Sequence, residues 1–203
     1  MKLFTSIGPN PHVVRMFLAE KGVSYPTQEV DLMSGENRKP DYLKVNARGQ
    51  SPALVLDDGS VVAEITAICE YVEDVHPTPP LIGTTPAERA ETRMWTRRLD
   101  LGVCEPMANG FRFGEGLKMF SPRIRCLPEA SSGLKAIAQD TLGWLDGQIA
   151  GRTWIVGERF TMADILLFCF LNFGARVGQK IDPAHGNVAA WFERAKARPS
   201  AAA

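Results

Sequence analysis

Proline is concentrated in one segment of this 203-residue chain, and that segment separates two kinds of sequence pattern. Residues 76–86, HPTPPLIGTTP, hold four prolines and one glycine, a composition typical of a linker. Strand and helix signals both precede the segment, whereas only helical patterns follow it. The pattern predicts an α/β domain over residues 1–76, a linker over 77–86 and an all-α domain over 87–203.

The elements of the first domain are predicted in the order βαβαββα. Residues 2–5 predict a strand, and apolar residues over 13–18 then recur at helical spacing before Gly22, a helix stop. A strand around 26–30 and a short helix around 41–45 come next.

A β-hairpin is the clearest local signal of the first domain. ALVL and SVVA flank Asp58 and Gly59, which predicts a tight turn whose two central residues both have positive φ. Helical spacing returns from Ile65 and completes the domain.

The second domain is predicted to begin with a helix over about 86–105. Its apolar side holds Ala90, Met94 and Trp95, and several arginines lie on the other side. Residues 106–133 are rich in Gly, Pro and Ser, which predicts that the helix there is broken or is followed by a long loop.

Three further helices are predicted after that region. Apolar residues form one stripe between Leu134 and Ile149, and the final helix lies near Val188. Thr161 and Asp164 have the spacing of an N-cap and its N3 partner, so they predict the start of the helix between these two.

Composition limits the classes of function. The chain has 23 basic and 23 acidic residues, and this balance argues against a nucleic-acid partner. Four cysteines and three histidines are scattered, which argues against a metal site or a disulfide framework and favours free thiols in a reducing compartment. The apolar stretch 165–173 is far shorter than the ~20 residues of a membrane span. We expect a cytoplasmic protein with no membrane partner.

An anion-binding geometry is predicted near the start of the chain. TSIGPNPHVVR, residues 5–15, has the pattern of a strand end, a tight turn and a helix N-terminus, where free N–H groups hold anions. If Asn10 is the N-cap, its carbonyl oxygen faces the N–H groups of His12 or Val13, so its side chain is a weak donor to an anion. Pro11 at the first helical position suits that capping geometry but has no N–H to give.

Three stretches together resemble the cytosolic glutathione transferases. NARGQSPAL at 46–54, AEITAICEYVED at 63–74 and GERFTMADILL at 157–167 are close to the family's motifs, in the family's order. The resemblance covers the whole chain and implies a thioredoxin-like domain followed by a helical one. It implies glutathione as co-substrate with no further cofactor, a small hydrophobic electrophile, and a homodimer. Local motifs are similar to an atypical fungal and bacterial subgroup that lacks a Tyr, Ser or Cys activator.

The resemblance also implies a set of glutathione-binding residues. Ser51, before a cis Pro52, pairs with the cysteinyl backbone of glutathione, and Glu64 takes the γ-glutamyl ammonium. The N–H groups of Ile65 and Thr66 take the adjoining carboxylate, although the family usually has Ser at the position of Ile65. The remaining implied contacts are Pro11, His12, Lys39 and Gln50. For Lys39 and His12 a solvent-facing role is the alternative.

The group that stabilises the thiolate stays open among three candidates. A free thiol has a pKa of about 8.5, so the site must favour the anion. Ser6 can donate its hydroxyl from the strand end; the helix N-terminus around Asn10 can supply N–H groups; Arg112 can attract the thiolate, unless it is a solvated surface residue.

The function implied by the resemblance is attack of the glutathione thiolate on an electrophile. Met107, Phe111 and Phe113 are predicted to line the electrophile pocket, and no metal is expected. Two alternatives remain: a glutathione-dependent disulfide reductase or peroxidase, and a non-catalytic glutathione-binding or interaction module.

Overall fold

A computed structural model describes all residues from 1 to 203. The chain divides into two compact units, each with its own core. The first contains Met1–Leu81 together with Pro199–Ala203, and the second contains Ile82–Arg198.

The first unit contains four strands, β1 (Lys2–Thr5), β2 (Thr27–Glu29), β3 (Ala53–Val55) and β4 (Val61–Ala63), and three α-helices, α1 (Pro9–Lys21), α2 (Pro40–Val45) and α3 (Ile65–Val75). The strands form one sheet in the order β2-β1-β3-β4. Strands β1 and β2 are parallel and are joined by helix α1, whereas β3 is antiparallel to both β1 and β4. Helices α1 and α3 pack on each other. Along the chain the elements follow the order β1, α1, β2, α2, β3, β4 and α3. This is the predicted βαβαββα order, so the thioredoxin-like fold class is confirmed.

Helix α1 begins earlier than the sequence predicts. Gly8 is the N-cap, Pro9 is the first helical residue, and Asn10 makes no capping hydrogen bond. The prediction of Asn10 as N-cap with Pro11 at the first position is therefore wrong. Gly8 has φ 112°, which an L-residue rarely adopts, and the fixed φ of Pro9 suits the first helical position.

The hairpin between β3 and β4 is confirmed, but its turn is longer than predicted. The N–H of Leu56 donates to the carbonyl of Ser60, and the N–H of Gly59 donates to the carbonyl of Leu56. Gly59 has φ 85°, whereas Asp58 is not among the residues with positive φ. Three residues therefore separate the closing pair, and only the glycine has to be left-handed.

A buried ion pair connects α1 and α3. The ammonium of Lys21 contacts the carboxylate of Glu73, with side-chain exposures of 0% and 2%. Lys21 also donates to the carbonyl of Pro79, and Glu73 accepts from the N–H of Leu81. The pair thus attaches the proline-rich segment to the end of α1.

The second unit contains only helices. They are α4 (Pro86–Leu99), a π-helix (Asp100–Cys104), α5 (Glu105–Phe113), α6 (Leu117–Phe120), α7 (Ser131–Gln148), α8 (Met162–Arg176) and α9 (Gly186–Lys196). Helix α8 is buried on almost every side and forms the centre of the unit. No helix in the chain is both long and apolar enough to cross a membrane.

The region around residues 106–113 is helical, in agreement with the predicted alternative of a helix that is followed by a long loop. The π-helix continues directly into α5, and Pro106 lies in its first turn. A wider turn shifts the hydrogen-bond register just before the proline, which has no N–H to donate. The prediction of a break or long loop applies only beyond Phe113.

The apolar side of α4 also differs from the prediction. Trp95 is 4% exposed, but Met94 is 42% exposed and Ala90 is exposed as well. The buried stripe instead includes Thr92 and Leu99, because α4 packs against α8.

Candidate functional site

Three backbone segments of the first unit meet at one end of its sheet. In the antiparallel registers Phe4 is opposite Ala53, and Ala53 is opposite Ala63. The end of β1, the start of β3 and the end of β4 therefore share one edge. The residues just beyond these positions are 6–11, 50–52 and 64–66, which contain every glutathione-site candidate of the first unit except His12 and Lys39.

The first turn of α1 offers very few hydrogen-bond donors. Pro9 and Pro11 have no N–H, and the first intrahelical bond runs from the N–H of His12 to the carbonyl of Gly8. The N–H of Asn10 is therefore the only free donor among the first three helical residues. The side-chain amide of Asn10 also has no hydrogen-bond partner, and the residue is half-buried. Asn10 thus presents two kinds of N–H at a helix N-terminus.

Ser6 is enclosed at the end of β1. Its exposed fraction is 1%, and its hydroxyl donates to the carbonyl of Ile7 at 3.3 Å. The Arg15 guanidinium covers the same corner, donating to the hydroxyl oxygen of Thr5 at 3.0 Å and to the carbonyl of Ser6 at 3.1 Å. The Ser6 hydroxyl is thus directed at its own backbone.

His12 contacts the C-terminal segment. Its Nε2 lies 3.2 Å from the carbonyl oxygen of Ala201, and Ser200 donates to the carboxylate of Glu20 on the same helix. Both contacts lie within the first unit and hold Pro199–Ala202 against α1. The imidazole nitrogen is thus engaged by the protein's own backbone.

The start of β3 leaves backbone groups unpaired. The Ser51–Pro52 peptide bond is cis, as the resemblance implies. Ser51 precedes the first paired residue of β3, and neither its N–H nor its C=O makes a backbone hydrogen bond elsewhere in the chain. Its buried hydroxyl has no partner of normal hydrogen-bond geometry, although it lies near the Tyr42 phenol. An extended peptide can pair with such a segment.

The start of α3 carries the one non-glycine residue with positive φ. Glu64 has φ 71°, and it is exposed and makes no capping bond. The first intrahelical bond joins the N–H of Ile68 to the carbonyl of Glu64, so the N–H groups of Ile65 and Thr66 are free. Backbone strain of this kind is common at ligand sites, and free N–H groups at a helix N-terminus attract carboxylates.

Lys39 and Gln50 are both exposed. Hydrogen bonds from Ser34 are the main cause of the lowered pKa of Asp31, and the Lys39 charge adds to that effect. The ammonium of Lys39 thus acts on a carboxylate of the protein itself.

The candidates of the second unit lie on or next to α5. Met107 is 1% exposed and belongs to the core of the unit, whereas Phe111 and Phe113 are half-buried. The Phe111 ring makes edge-to-face contacts with Phe120 and Phe173. Arg112 donates to the side-chain oxygen of Asn109 at 2.9 Å, so its guanidinium is held along its own helix.

Several polar residues that hold the loops of the site carry no signal in the sequence pattern. Arg15 braces the end of β1, while Asn37, Tyr42 and Asn46 donate to carbonyls of the segment before Ser51. Their partners are backbone atoms of other elements, so no local residue pattern marks them.

The whole-chain comparisons agree with this architecture. A glutathione S-transferase domain-containing protein from Marinobacter aquaeolei superposes with a TM-score of 0.92 at 34% identity, covering 98% of this chain and 99% of that one. Gtt2 from Saccharomyces cerevisiae superposes with a TM-score of 0.89 at 32% identity, with 98% of each chain covered.

The sequence comparisons decide the family. The family model for "Glutathione S-transferase, N-terminal domain" matches residues 7–75, and the model for "Glutathione S-transferase, C-terminal domain" matches residues 128–199. Glutathione S-transferase 2 of Saccharomyces cerevisiae is 33% identical over 97% of this chain and 85% of its own length. The chain belongs to the glutathione S-transferase family.

Other relatives in this family carry different names. Maleylacetoacetate isomerase of Pseudomonas aeruginosa is 40% identical over 90% of this chain and 85% of that protein. Elongation factor 1-gamma of Prunus avium is 34% identical over 70% of this chain, but only 32% of that protein is covered. Family membership therefore leaves the substrate open.

Proposed function

We propose that this protein is a glutathione transferase that activates the glutathione thiol for attack on a small electrophile. The observation that carries the proposal is the meeting of three unpaired backbone segments at one end of the sheet, in a member of this family. Residues 50–52 suit a peptide backbone, and residues 64–66 suit an α-carboxylate. Residues 6–11 include a helix N-terminus, which suits a thiolate.

The proposed binding mode uses backbone groups for most contacts. The cysteinyl residue of glutathione pairs with Ser51, and the γ-glutamyl carboxylate accepts from the N–H groups of Ile65 and Thr66. Glu64 receives the γ-glutamyl ammonium. Ile65 offers no hydroxyl, so the hydroxyl of Thr66 is the replacement on the same turn. Loss of one neutral hydrogen bond weakens binding by about 0.5–1.5 kcal/mol, which leaves binding intact.

Asn10 is the proposed thiolate-stabilising residue. It offers a backbone N–H and a side-chain amide that no other group in the chain uses, whereas the Ser6 hydroxyl is buried and directed at Ile7. Hydrogen bonds to a charged acceptor are worth about 1.5–3 kcal/mol, which corresponds to roughly one to two units of thiol pKa.

The test compares two single substitutions at this corner. In Asn10→Ala the pKa of bound glutathione, followed by thiolate absorbance against pH, is expected to rise by about one unit. Ser6→Ala is the matched control and is expected to leave that pKa unchanged. A rise in Ser6→Ala with none in Asn10→Ala assigns the role to the serine instead.

The helical unit is proposed to bind the electrophile. Phe111 and Phe113 are half-buried aromatic side chains on one short helix, which suits an apolar substrate. Conjugation of a chloronitrobenzene tests transferase activity, and reduction of hydroxyethyl disulfide tests the reductase alternative. Retention on immobilised glutathione without either activity indicates a binding module.

A homodimer is also proposed, through the outer face of the helical unit. Large apolar side chains are exposed there on α4, the π-helix and α7, and the rings of Trp95 on α4 and Trp144 on α7 lie 5.7 Å apart between centroids. The exposed set is Met94, Leu101, Ile137 and Trp144, with exposed fractions between 42% and 53%. Large exposed apolar side chains on neighbouring helices favour a protein partner, and a second copy is the one the family suggests.

A further inference from the structure

The loop before Ser51 is held by side chains from the preceding segment. Residues 46–51 connect α2 to β3, and three consecutive carbonyls of this loop accept hydrogen bonds from side chains. The Arg38 guanidinium donates to the carbonyl of Arg48 at 3.2 Å, and the Asn37 amide donates to the carbonyl of Gly49 at 2.6 Å. The Tyr42 hydroxyl and the Asn46 amide both donate to the carbonyl of Gln50, at 2.7 and 2.8 Å. All of these residues belong to the first unit.

The carbonyl of Gln50 is fully occupied. A carbonyl oxygen has two lone pairs, and the Tyr42 hydroxyl and the Asn46 amide use both. Tyr42 is 5% exposed, and burial is the main cause of the raised pKa of its phenol, which therefore stays protonated as a donor. No other carbonyl of the loop has two such donors.

Fixing this carbonyl also fixes the next N–H. The Gln50–Ser51 peptide is trans and planar, so the C=O of Gln50 and the N–H of Ser51 point in opposite directions. Because Tyr42 and Asn46 hold the carbonyl on the interior side, the N–H of Ser51 is directed away from them. That N–H has no backbone partner in the chain.

We propose that Tyr42 and Asn46 are positioning residues for glutathione, acting through the Gln50 carbonyl to orient the Ser51 N–H toward the cysteinyl carbonyl of the substrate. The proposal rests on the proposed glutathione site. Neither side chain touches the substrate; both determine how well one peptide plane is preorganised, so their effect falls on binding and not on the chemistry of the thiol.

Tyr42→Phe tests the proposal with little disturbance of the fold. The ring stays in its edge-to-face contact with Phe4, at 6.0 Å between centroids, and only the hydroxyl is lost. Tyr25→Phe is the matched control: it removes a phenol that lies 3.0 Å from the Nε2 of His76 in the same unit, away from the loop.

The measurements are the Kd of glutathione by calorimetry, the KM and kcat for each substrate, and Tm. In Tyr42→Phe we expect the Kd and KM of glutathione to rise about three- to tenfold. We expect kcat at saturating glutathione and the KM of the electrophile to stay within about twofold, while Tyr25→Phe changes neither the Kd nor the KM of glutathione. S-methylglutathione, which has no free thiol, is expected to lose affinity by the same factor.

Asn46→Asp provides a second, stronger variant. It removes the donor to Gln50 but keeps the oxygen that accepts from the N–H of Arg48. Unchanged glutathione affinity in both variants, beside a wild type that binds, overturns the positioning role. Failure of the wild type to bind glutathione overturns the proposed function itself. If Tyr42→Phe and Tyr25→Phe lose glutathione affinity equally, the role of Tyr42 is purely structural and the proposal is wrong.

Discussion

The carboxylate of Asp164 is a buried hydrogen-bond acceptor that joins three segments of the helical unit. It is completely buried at the start of α8 and accepts four hydrogen bonds. The donors are the N–H of Ile155 at 3.0 Å, the indole N–H of Trp191 at 2.8 Å, and the N–H and hydroxyl of Thr161 at 2.9 and 3.1 Å. Asp164→Ala removes the acceptor of all four donors, which belong to Ile155, Thr161 and Trp191. These three residues are 0% exposed, so water does not replace the carboxylate.

The expected cost follows from the donors left behind. The Thr161 hydroxyl can rotate, but the three N–H groups cannot reach water. Each buried donor without a partner costs about 1–3 kcal/mol, and neighbouring losses are not additive, so we expect roughly 3–6 kcal/mol. That is a large part of the ~5–15 kcal/mol that stabilises a typical domain. Asp164→Asn keeps one acceptor oxygen and should cost less, about 1–3 kcal/mol.

Burial also makes this carboxylate pH-sensitive. Burial raises the pKa of Asp164 from 3.8 to about 6, although its four hydrogen bonds act in the opposite direction. Between these values the folded state binds more protons than the unfolded state, so stability falls as the pH rises from about 4 to 6. This pKa shift corresponds to a change of at most about 3 kcal/mol in the free energy of unfolding. In Asp164→Asn this part of the pH dependence is expected to disappear.

Tryptophan fluorescence provides a clean assay, because all four tryptophans lie in the helical unit. Urea unfolding at about pH 4 and about pH 7 measures both the cost of the substitution and its pH dependence. The exposed Asp140 on α7 supplies the control, since Asp140→Ala is expected to change stability by less than about 0.5 kcal/mol. A loss below about 1 kcal/mol in Asp164→Ala refutes the reasoning from orphaned donors.

Three further outcomes are expected. Lys21→Met leaves the Glu73 carboxylate buried without its ammonium and should cost about 3–5 kcal/mol in urea unfolding, most of which Glu73→Leu in the same chain restores. Leu101→Glu places a charge on the exposed apolar face of the helical unit and should shift light scattering toward the monomer, with Tm nearly unchanged. Pro11→Ala restores an N–H in the first turn of α1 and should lower the pKa of bound glutathione; no change in a glutathione titration contradicts the helix-terminus mechanism.

The element order was predictable because it depends on hydrophobic periodicity and on strong stop signals. Strand β1 has the predicted bounds, α1 ends at Gly22 in the left-handed conformation, and Thr161 with Asp164 forms the predicted capping box. These features are encoded within a few residues of each other, so they can be recognised without knowledge of the tertiary fold.

Choices between near-equivalent local arrangements were not predictable. Both Pro9 and Pro11 suit the first helical position, and only the preceding backbone decides; Gly8, with positive φ, turns the chain so that the helix begins at Pro9. The π-helix before Pro106 likewise depends on how the helix packs against α7 and α8. Tertiary packing selects among such alternatives, and a single sequence does not show it.

Side-chain changes at the glutathione end of the first unit are tolerable because its proposed contacts are mainly backbone groups. Ile65 in place of a serine keeps the backbone N–H that the proposed binding mode uses for the substrate carboxylate. No Tyr or Cys directly follows β1, and the hydroxyl of Ser6 donates to the protein's own backbone, so the donors of Asn10 remain available. Glutathione affinity then depends on side chains behind the site, which hold those backbone groups in their orientation. Tyr42 is such a residue in the proposed binding mode, because its hydroxyl donates to the carbonyl of the peptide plane whose N–H is proposed to bind the cysteinyl backbone. Substitutions behind the site should therefore reduce glutathione affinity more uniformly across electrophiles than substitutions on α5, which change the electrophile contacts alone.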